Sequence, residues 1–354
     1  MISSHFYFSI FNLLLIVIFF GFLLLAKKKN DNTIIVSIVV FLTILLTTLI
    51  GFRSIDDTGF GDTALYVKIY ERAGQLGRLM PFEPGYNFLM ILCKNIGLSI
   101  QLFFCLLGYL YIYFQYKGSC ILLGGHSLLV YFLIIGAFSF NGYAINGIRN
   151  GLGCSILFLA LPYIFSDQKN KWVVGGAICF IASSIHSSTI LPALCFFAAR
   201  FYFNTFDKGF KCWIASIFFS LLLGSFFITL FTGLGFDDRL DGYLETPSRH
   251  GFRWDFLLYS SVPILLAYYY IKILDRKDRI YEFLISSYML SNALWILVIN
   301  ASFSNRFAYL SWFLYPLVIA YPLIVFDTPN YMSKQKLGLS LYLMFTLIMY
   351  YLSN

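Results

Sequence analysis

Six arginines, Arg53, Arg149, Arg239, Arg249, Arg253 and Arg306, lie at or beside the ends of long apolar runs, among carboxylates, amides and aromatic rings. Guanidinium is a planar, permanently charged fork of five donors, suited to bidentate binding of phosphate or carboxylate. After Arg53, Asp62, Tyr66 and Tyr70 follow at i, i+4, i+8, one face of a helix that Asp62 would cap. Glu83-Pro84-Gly85-Tyr86 then places a proline suited to a first helical turn directly behind a carboxylate. Glu83 reads either as a solvated helix start or as a carboxylate aimed into a cavity. Asn146-Gly147-Ile148-Arg149-Asn150-Gly151 puts Asn146, Arg149 and Asn150 on one helical face, with Gly147 and Gly151 spaced to admit a neighbouring helix. A charge at such depth costs about 2.5–3.5 kcal/mol on insertion scales, so it tends to face a cavity and mark a site. In Ser183–Thr189 a polar break carries His186, an acid/base candidate or a hydrogen-bonded core histidine. The stretch 235–254 combines Arg239, Arg249 and Arg253 with His250 and several aromatics: forks for an anion, flat faces for pyranose rings. Asn305-Arg306 opens a late apolar run.

The elements that must position these residues are set by composition. Of 354 residues 59% are hydrophobic, 20% aromatic and 12% charged, against roughly 25% charged in soluble domains. So little charge cannot cover a water-exposed surface, which excludes a soluble enzyme, a disordered chain and a nucleic-acid-binding module despite the net charge of +8. Apolar runs of membrane-spanning length recur near 6–26, 33–52, 98–116, 120–140, 142–165, 172–187, 189–203, 212–234, 255–274, 281–300, 306–326 and 338–352. The expected fold is an all-α polytopic membrane protein of about 12 transmembrane helices. It forms a single domain over 1–354, with extracytoplasmic loops at about 53–83 and 235–254; Glu83–Gly97 reads as an interfacial or re-entrant helix. The first run lacks the basic flank of a cleavable signal. The seven cysteines show no CxxC or metal spacing and read as small apolar residues.

Lysine sets the orientation. Lys27-Lys28-Lys29 after the first run belongs in the cytoplasm, and alternation then places Lys117, Lys169/Lys171, Lys208/Lys211, the 275–279 charge run and Lys334/Lys336 inside as well. The inside set holds twelve Lys and three Arg, the outside set two Lys and eight Arg. The orientation rule treats both cations alike, so it does not account for the sorting. An anion site on the outer face does; local pairing with the ten acids that also fall outside is the plainer alternative.

In order and spacing, Arg53 with Asp62 and Tyr66, Glu83-Pro84-Gly85-Tyr86, Asn146-x-x-Arg149-Asn150, Ile185-His186-Ser187 and Arg253-Trp254-Asp255-Phe256 resemble the EpsG-like branch of the Wzy-type O-antigen and exopolysaccharide polymerases, over roughly 33–326. Arg239 and Arg249 have no firm counterpart in that pattern. The resemblance implies a C-type multipass glycosyltransferase architecture in the cell inner membrane, with the active site facing the periplasm. It implies transfer of an undecaprenyl-diphosphate-linked glycan to the non-reducing end of another lipid-linked repeat unit, without a nucleotide sugar. The implied partners are lipid-linked donor and acceptor, together with a flippase and a chain-length regulator of the same pathway. Arginines stabilise the departing diphosphate, here Arg53, Arg149, Arg253 and Arg306, joined on local chemistry alone by Arg239 and Arg249, with Tyr66, Asn146 and Asn150 beside the substrate. Glu83 is the leading base, with Asp62 and His186 the other candidates. Asp56-Asp57 and Asp237-Asp238 are adjacent pairs that do not face one way, so metal-independent chemistry without a cofactor is expected.

Three other readings compete. Another lipid-linked-sugar glycosyltransferase or an O-antigen ligase would have a similar outer face and a different acceptor. A flippase or transporter needs charge through the depth of the bundle and gates on both faces, whereas here polar residues are expected to cluster at one face, with almost no charge mid-span. An acyltransferase would rest on His186 alone.

Overall fold

A computed structural model describes residues 1–25, 32–73, 82–233, 251–301, 305–326 and 331–353. Arg239, Arg249 and nearly all of the stretch 235–254 lie outside the described residues, as does the Lys27–Lys29 run. Fifteen α-helices occur among the described residues, with no sheet: α1 (Ser4–Leu25), α2 (Asn32–Gly51), α3 (Thr63–Arg72), α4 (Pro84–Asn95), α5 (Ile100–Leu123), α6 (Leu128–Ile135), α7 (Ile148–Phe165), α8 (Lys171–Ile185), α9 (Ile190–Phe201), α10 (Phe206–Gly233), α11 (Trp254–Tyr268), α12 (Arg279–Ile296), α13 (Asn305–Trp312), α14 (Tyr315–Val325) and α15 (Tyr331–Ser353).

Among the described residues six stretches are long and apolar enough to cross a membrane: α1, α2, α7, α10, α11 with its π-type extension, and α13–α14 together; α8 and α9 are apolar but shorter. The protein is an all-α polytopic membrane protein. Helices α7, α12 and α14 are buried on nearly every side, whereas α1, α2 and α10 turn leucines, isoleucines and phenylalanines outward. That inside-out surface is the one a lipid solvent selects.

Two expectations change. The apolar run 120–140 is not one helix: α5 continues to Leu123 and stops at Gly124, which adopts the left-handed conformation a glycine permits. Ser127 then caps the eight-residue α6, its hydroxyl accepting from Val130 N–H. The second concerns 146–151. Asn146 ends a π-type turn over Gly142–Asn146, and α7 begins only at Ile148. Asn146 therefore does not share a helical face with Arg149 and Asn150. The glycine pair admits no separate helix either, since Gly151 and Gly147 face Tyr143 and Gly142 of that same turn.

The ion pairs among the described residues collect at two ends of the bundle. At one, Asp167 is held between Arg200 (2.5 Å) and Arg279 (3.1 Å), both near the Phe165 ring, and Lys272 meets Asp207 at 2.7 Å. At the other, Ile2 pairs through its backbone with Phe52 and Ser54, on either side of Arg53. Asp57 accepts from Ser4 N–H and Gly59 N–H nearby, and its carboxyl lies below its usual pKa because those amides hold the charged form.

Candidate functional site

Helix α4 begins as its sequence suggests, with Glu83 at the cap position and Pro84 at the first turn, but the Glu83 side chain does not cap its own helix. It reaches instead to α7 and α8. Its Oε2 accepts from Arg149 Nη1. Its Oε1 accepts from His186 Nδ1 at 2.9 Å, from Ser187 N–H at 3.0 Å and from the Ser187 hydroxyl at 3.2 Å. A carboxylate only accepts, so Nδ1 carries the proton and Nε2 is left as the basic nitrogen of the neutral ring.

The close approach follows from two small residues. A Cβ on Gly85 would lie 2.8 Å from the Ser184 carbonyl oxygen, so only glycine lets the start of α4 abut the end of α8. A Cβ on Gly153 would lie 2.8 Å from Thr189 Cγ2 and 3.5 Å from His186 Cβ, and its absence seats the end of α8 against α7. Gly153 is marked by no motif, and Gly85 only by its place in the Glu83-Pro84-Gly85-Tyr86 string.

The three side chains are partly open, 16% exposed at Arg149, 17% at Glu83 and 22% at His186. Burial alone would raise the Glu83 pKa. The Nδ1–H hydrogen bond of His186, the charge of Arg149 and the Ser187 amide outweigh it and hold the carboxyl well below its ordinary range. Arg149 stacks its guanidinium 4.1 Å above the Phe82 ring and bonds the Tyr66 hydroxyl, while its Nε is buried without a partner. Tyr66, Phe82 and Tyr86 pack against one another beneath it.

Arg53 sits deeper, with no exposed surface. Its Nε donates to Thr63 Oγ1 (3.0 Å), its Nη1 to the Ile50 carbonyl (2.6 Å), and its guanidinium lies 4.0 Å over Phe104. Burial lowers its pKa to about 10, with nearby Tyr7, Tyr86 and Tyr66 opposing; it remains a cation at neutral pH. It joins the end of α2 to the start of α3.

The structure thus brings Glu83, Arg149, His186 and Tyr66 into one cluster, with Arg53 at its base. Asp62 stands half-buried at the start of α3, but its side chain does not cap that helix. Asn146 is exposed beside Gly61, and Asn150 accepts from Cys154 Sγ within α7. Arg253 is engaged by its own neighbour, forking onto Asp255 at 2.9 and 2.6 Å with its guanidinium 3.5 Å over Phe256. Arg306 is half-buried in the first turn of α13. Among the described residues no three His, Cys, Asp or Glu side chains converge as a metal set would.

The EpsG family profile matches residues 36–354, nearly the whole chain. The chain belongs to the EpsG family. This is a family of exopolysaccharide and O-antigen polymerase-like membrane proteins. No curated protein and no solved structure matches the chain. The Glu83–Arg149–His186 cluster of this EpsG-family member lies inside the matched region, as do Arg53, Tyr66 and Arg253.

Proposed function

We propose that the protein is a polysaccharide polymerase. It transfers an undecaprenyl-diphosphate-linked glycan to the non-reducing end of a second lipid-linked repeat unit, at the outer face of the cytoplasmic membrane. The observation that carries the reading is the meeting of one carboxylate, one imidazole and one guanidinium, from three separate helices, at the arginine-rich end of an apolar bundle.

In this reading His186 is the base and Glu83 orients it. The acceptor hydroxyl gives its proton to His186 Nε2 as its oxygen attacks the anomeric carbon of the donor. The bond from that carbon to the diphosphate oxygen breaks, and the lipid diphosphate departs with the electron pair. Glu83 fixes the ring tautomer and stabilises the imidazolium that forms. Arg149 faces the charge developing on the departing oxygen, where a preplaced guanidinium in a partly dry site stabilises the transition state more than the ground state. Phe82, half-buried beside Arg149, offers an aromatic edge to a sugar ring, while the buried Tyr66 and Tyr86 support it and Arg53 braces the floor from beneath.

The test is genetic and chemical together. A strain lacking the gene should make surface glycan carrying one repeat unit, and the wild-type gene should restore the ladder of lengths. His186→Gln and Arg149→Ala, present at wild-type amounts, should not restore it. Loss of all glycan in the deletion strain would assign the protein to translocation or an earlier step. Full-length polymer stranded on the carrier lipid would assign it to the final ligation.

A further inference from the structure

The cluster contains two guanidiniums, and they differ in one respect that bears on how a substrate enters. Arg53 is sealed from outside and spends two of its nitrogens on Thr63 and the Ile50 carbonyl. Arg149 keeps an exposed portion and so can meet an incoming anion, yet its Nη1 is already taken by Glu83 Oε2. Its Nε is buried and unpartnered, and its underside is closed by Phe82. With Nε buried, a phosphate can fork onto this guanidinium only through Nη1 and Nη2, and so takes the place of the carboxylate at Nη1.

We infer that the Glu83–Arg149 ion pair is a latch that the donor's diphosphate opens, and that opening it readies the base. The inference rests on the reading of Arg149 as the diphosphate ligand. The division of labour within the carboxylate makes the exchange simple. Oε2 alone faces Arg149, while Oε1 alone holds His186 and both groups of Ser187. When phosphate oxygens replace Oε2 at the guanidinium, Glu83 stays attached to α8 through Oε1. Its negative charge, no longer shared with Arg149, is then directed at the His186 ring alone, where it stabilises the imidazolium that forms as the ring takes the acceptor's proton. Before a donor binds, the same charge is divided between guanidinium and imidazole. Donor binding and base activation become one event. The acceptor hydroxyl is therefore deprotonated only after a donor is in place, which orders the two lipid-linked substrates even though both carry the same diphosphate.

A rival anion lowers the affinity it competes with, so removing its charge should tighten binding. The experiment uses the purified full chain in detergent, farnesyl diphosphate as the probe, and calorimetric titration of wild type, Glu83→Gln, Glu83→Asp and Arg149→Ala. Glu83→Gln should bind the probe about tenfold more tightly than wild type while losing polymerisation, a separation that a merely structural contact does not produce. Glu83→Asp keeps the charge but is one methylene shorter and cannot span α7 and α8 together; it should bind with intermediate affinity, and it decides the matter if the Gln variant fails to fold. Arg149→Ala should not bind. Equal or weaker binding by the charge-neutral and shortened variants would overturn the latch while leaving Arg149 as the diphosphate ligand. Absence of probe binding in wild type and variants, or undiminished binding by Arg149→Ala, would overturn the parent reading, and the latch with it.

Discussion

Replacing Gly85 with alanine tests whether the junction of α4 and α8 positions the chemistry. The new methyl would lie 2.3 Å from Ser184 Oγ, 2.8 Å from the Ser184 carbonyl oxygen and 2.9 Å from its carbon. The hydroxyl can rotate away, but a carbonyl inside a helix cannot, so the two helix ends must separate by about 0.5 Å, the tolerance within which functional groups must be held. Glu83 lies two residues before the methyl and His186 two residues after the carbonyl. Their 2.9 Å contact then lengthens past good hydrogen-bond geometry. Overpacking of this kind costs about 1–3 kcal/mol of stability. A displacement of half an ångström at a catalytic pair is expected to lower the rate roughly tenfold, given about a hundredfold for 1 Å. The assay is polymer length and amount per unit of membrane-inserted protein in the deletion strain, with thermal unfolding of the purified protein alongside. Adding Ser184→Gly removes the hydroxyl clash alone and should restore only part of the activity. Gly21→Ala, where a methyl meets nothing within 4 Å, should behave as wild type. Wild-type polymerisation by Gly85→Ala at matched protein level would refute the argument that this contact sets the Glu83–His186 distance.

Three further outcomes are expected. Arg149→Lys should lose at least about tenfold in activity at normal protein level, because a point ammonium cannot reproduce the fork, and lipid-glycan ladders from the complemented strain report it. Arg53→Met should lower the melting temperature more than the activity, since the buried Ile50 carbonyl loses its side-chain donor at about 1–3 kcal/mol, while Thr63 keeps its bond to the Phe60 carbonyl; unchanged melting with lost donor binding would make Arg53 a substrate ligand instead. Glu83 has a folded pKa below its unfolded value, so its contribution to stability is complete above the ordinary carboxylate range and declines as pH falls toward the folded value. The melting difference between wild type and Glu83→Gln, measured from neutral to acidic pH, should therefore narrow on acidification.

Local features of the site were legible from residue spacing, and long-range ones were not. The period of Asp62, Tyr66 and Tyr70 does mark one face of α3, whose tyrosines are buried. Glu-Pro does start a helix at Pro84. Both are decided within a turn or two of chain. Glu83, Arg149 and His186 are separated by 66 and 103 positions from the carboxylate, and nothing in their spacing says that they meet; only the sorting of arginine from lysine hinted that external guanidiniums had work to do. The error at Asn146 has a specific cause. Glycines four apart fit a close helix contact and equally fit a chain that breaks its helix and folds back, and Gly147 and Gly151 do the latter. Gly124 ends α5 inside the run 120–140, where Gly124-Gly125-His126-Ser127 is a short break that the apolar residues on either side outweigh.

The shortness of α8 has a consequence for the bilayer itself. Fifteen residues rise only about 22 Å, against a hydrocarbon core of about 30 Å. If Lys171 and Trp172 rest at one interface, His186 stands about 8 Å short of the other, level with the outer acyl chains rather than the phosphate layer. A membrane meeting this helix must thin around it, or let headgroups and water dip inward to reach it. The local sag would bring the diphosphate of a carrier lipid down to the imidazole without lifting its prenyl tail out of the membrane. Under the proposed function bilayer thickness becomes a variable of the reaction: longer-chain lipids would raise the headgroup plane away from the base, and shorter-chain lipids would bring the two together.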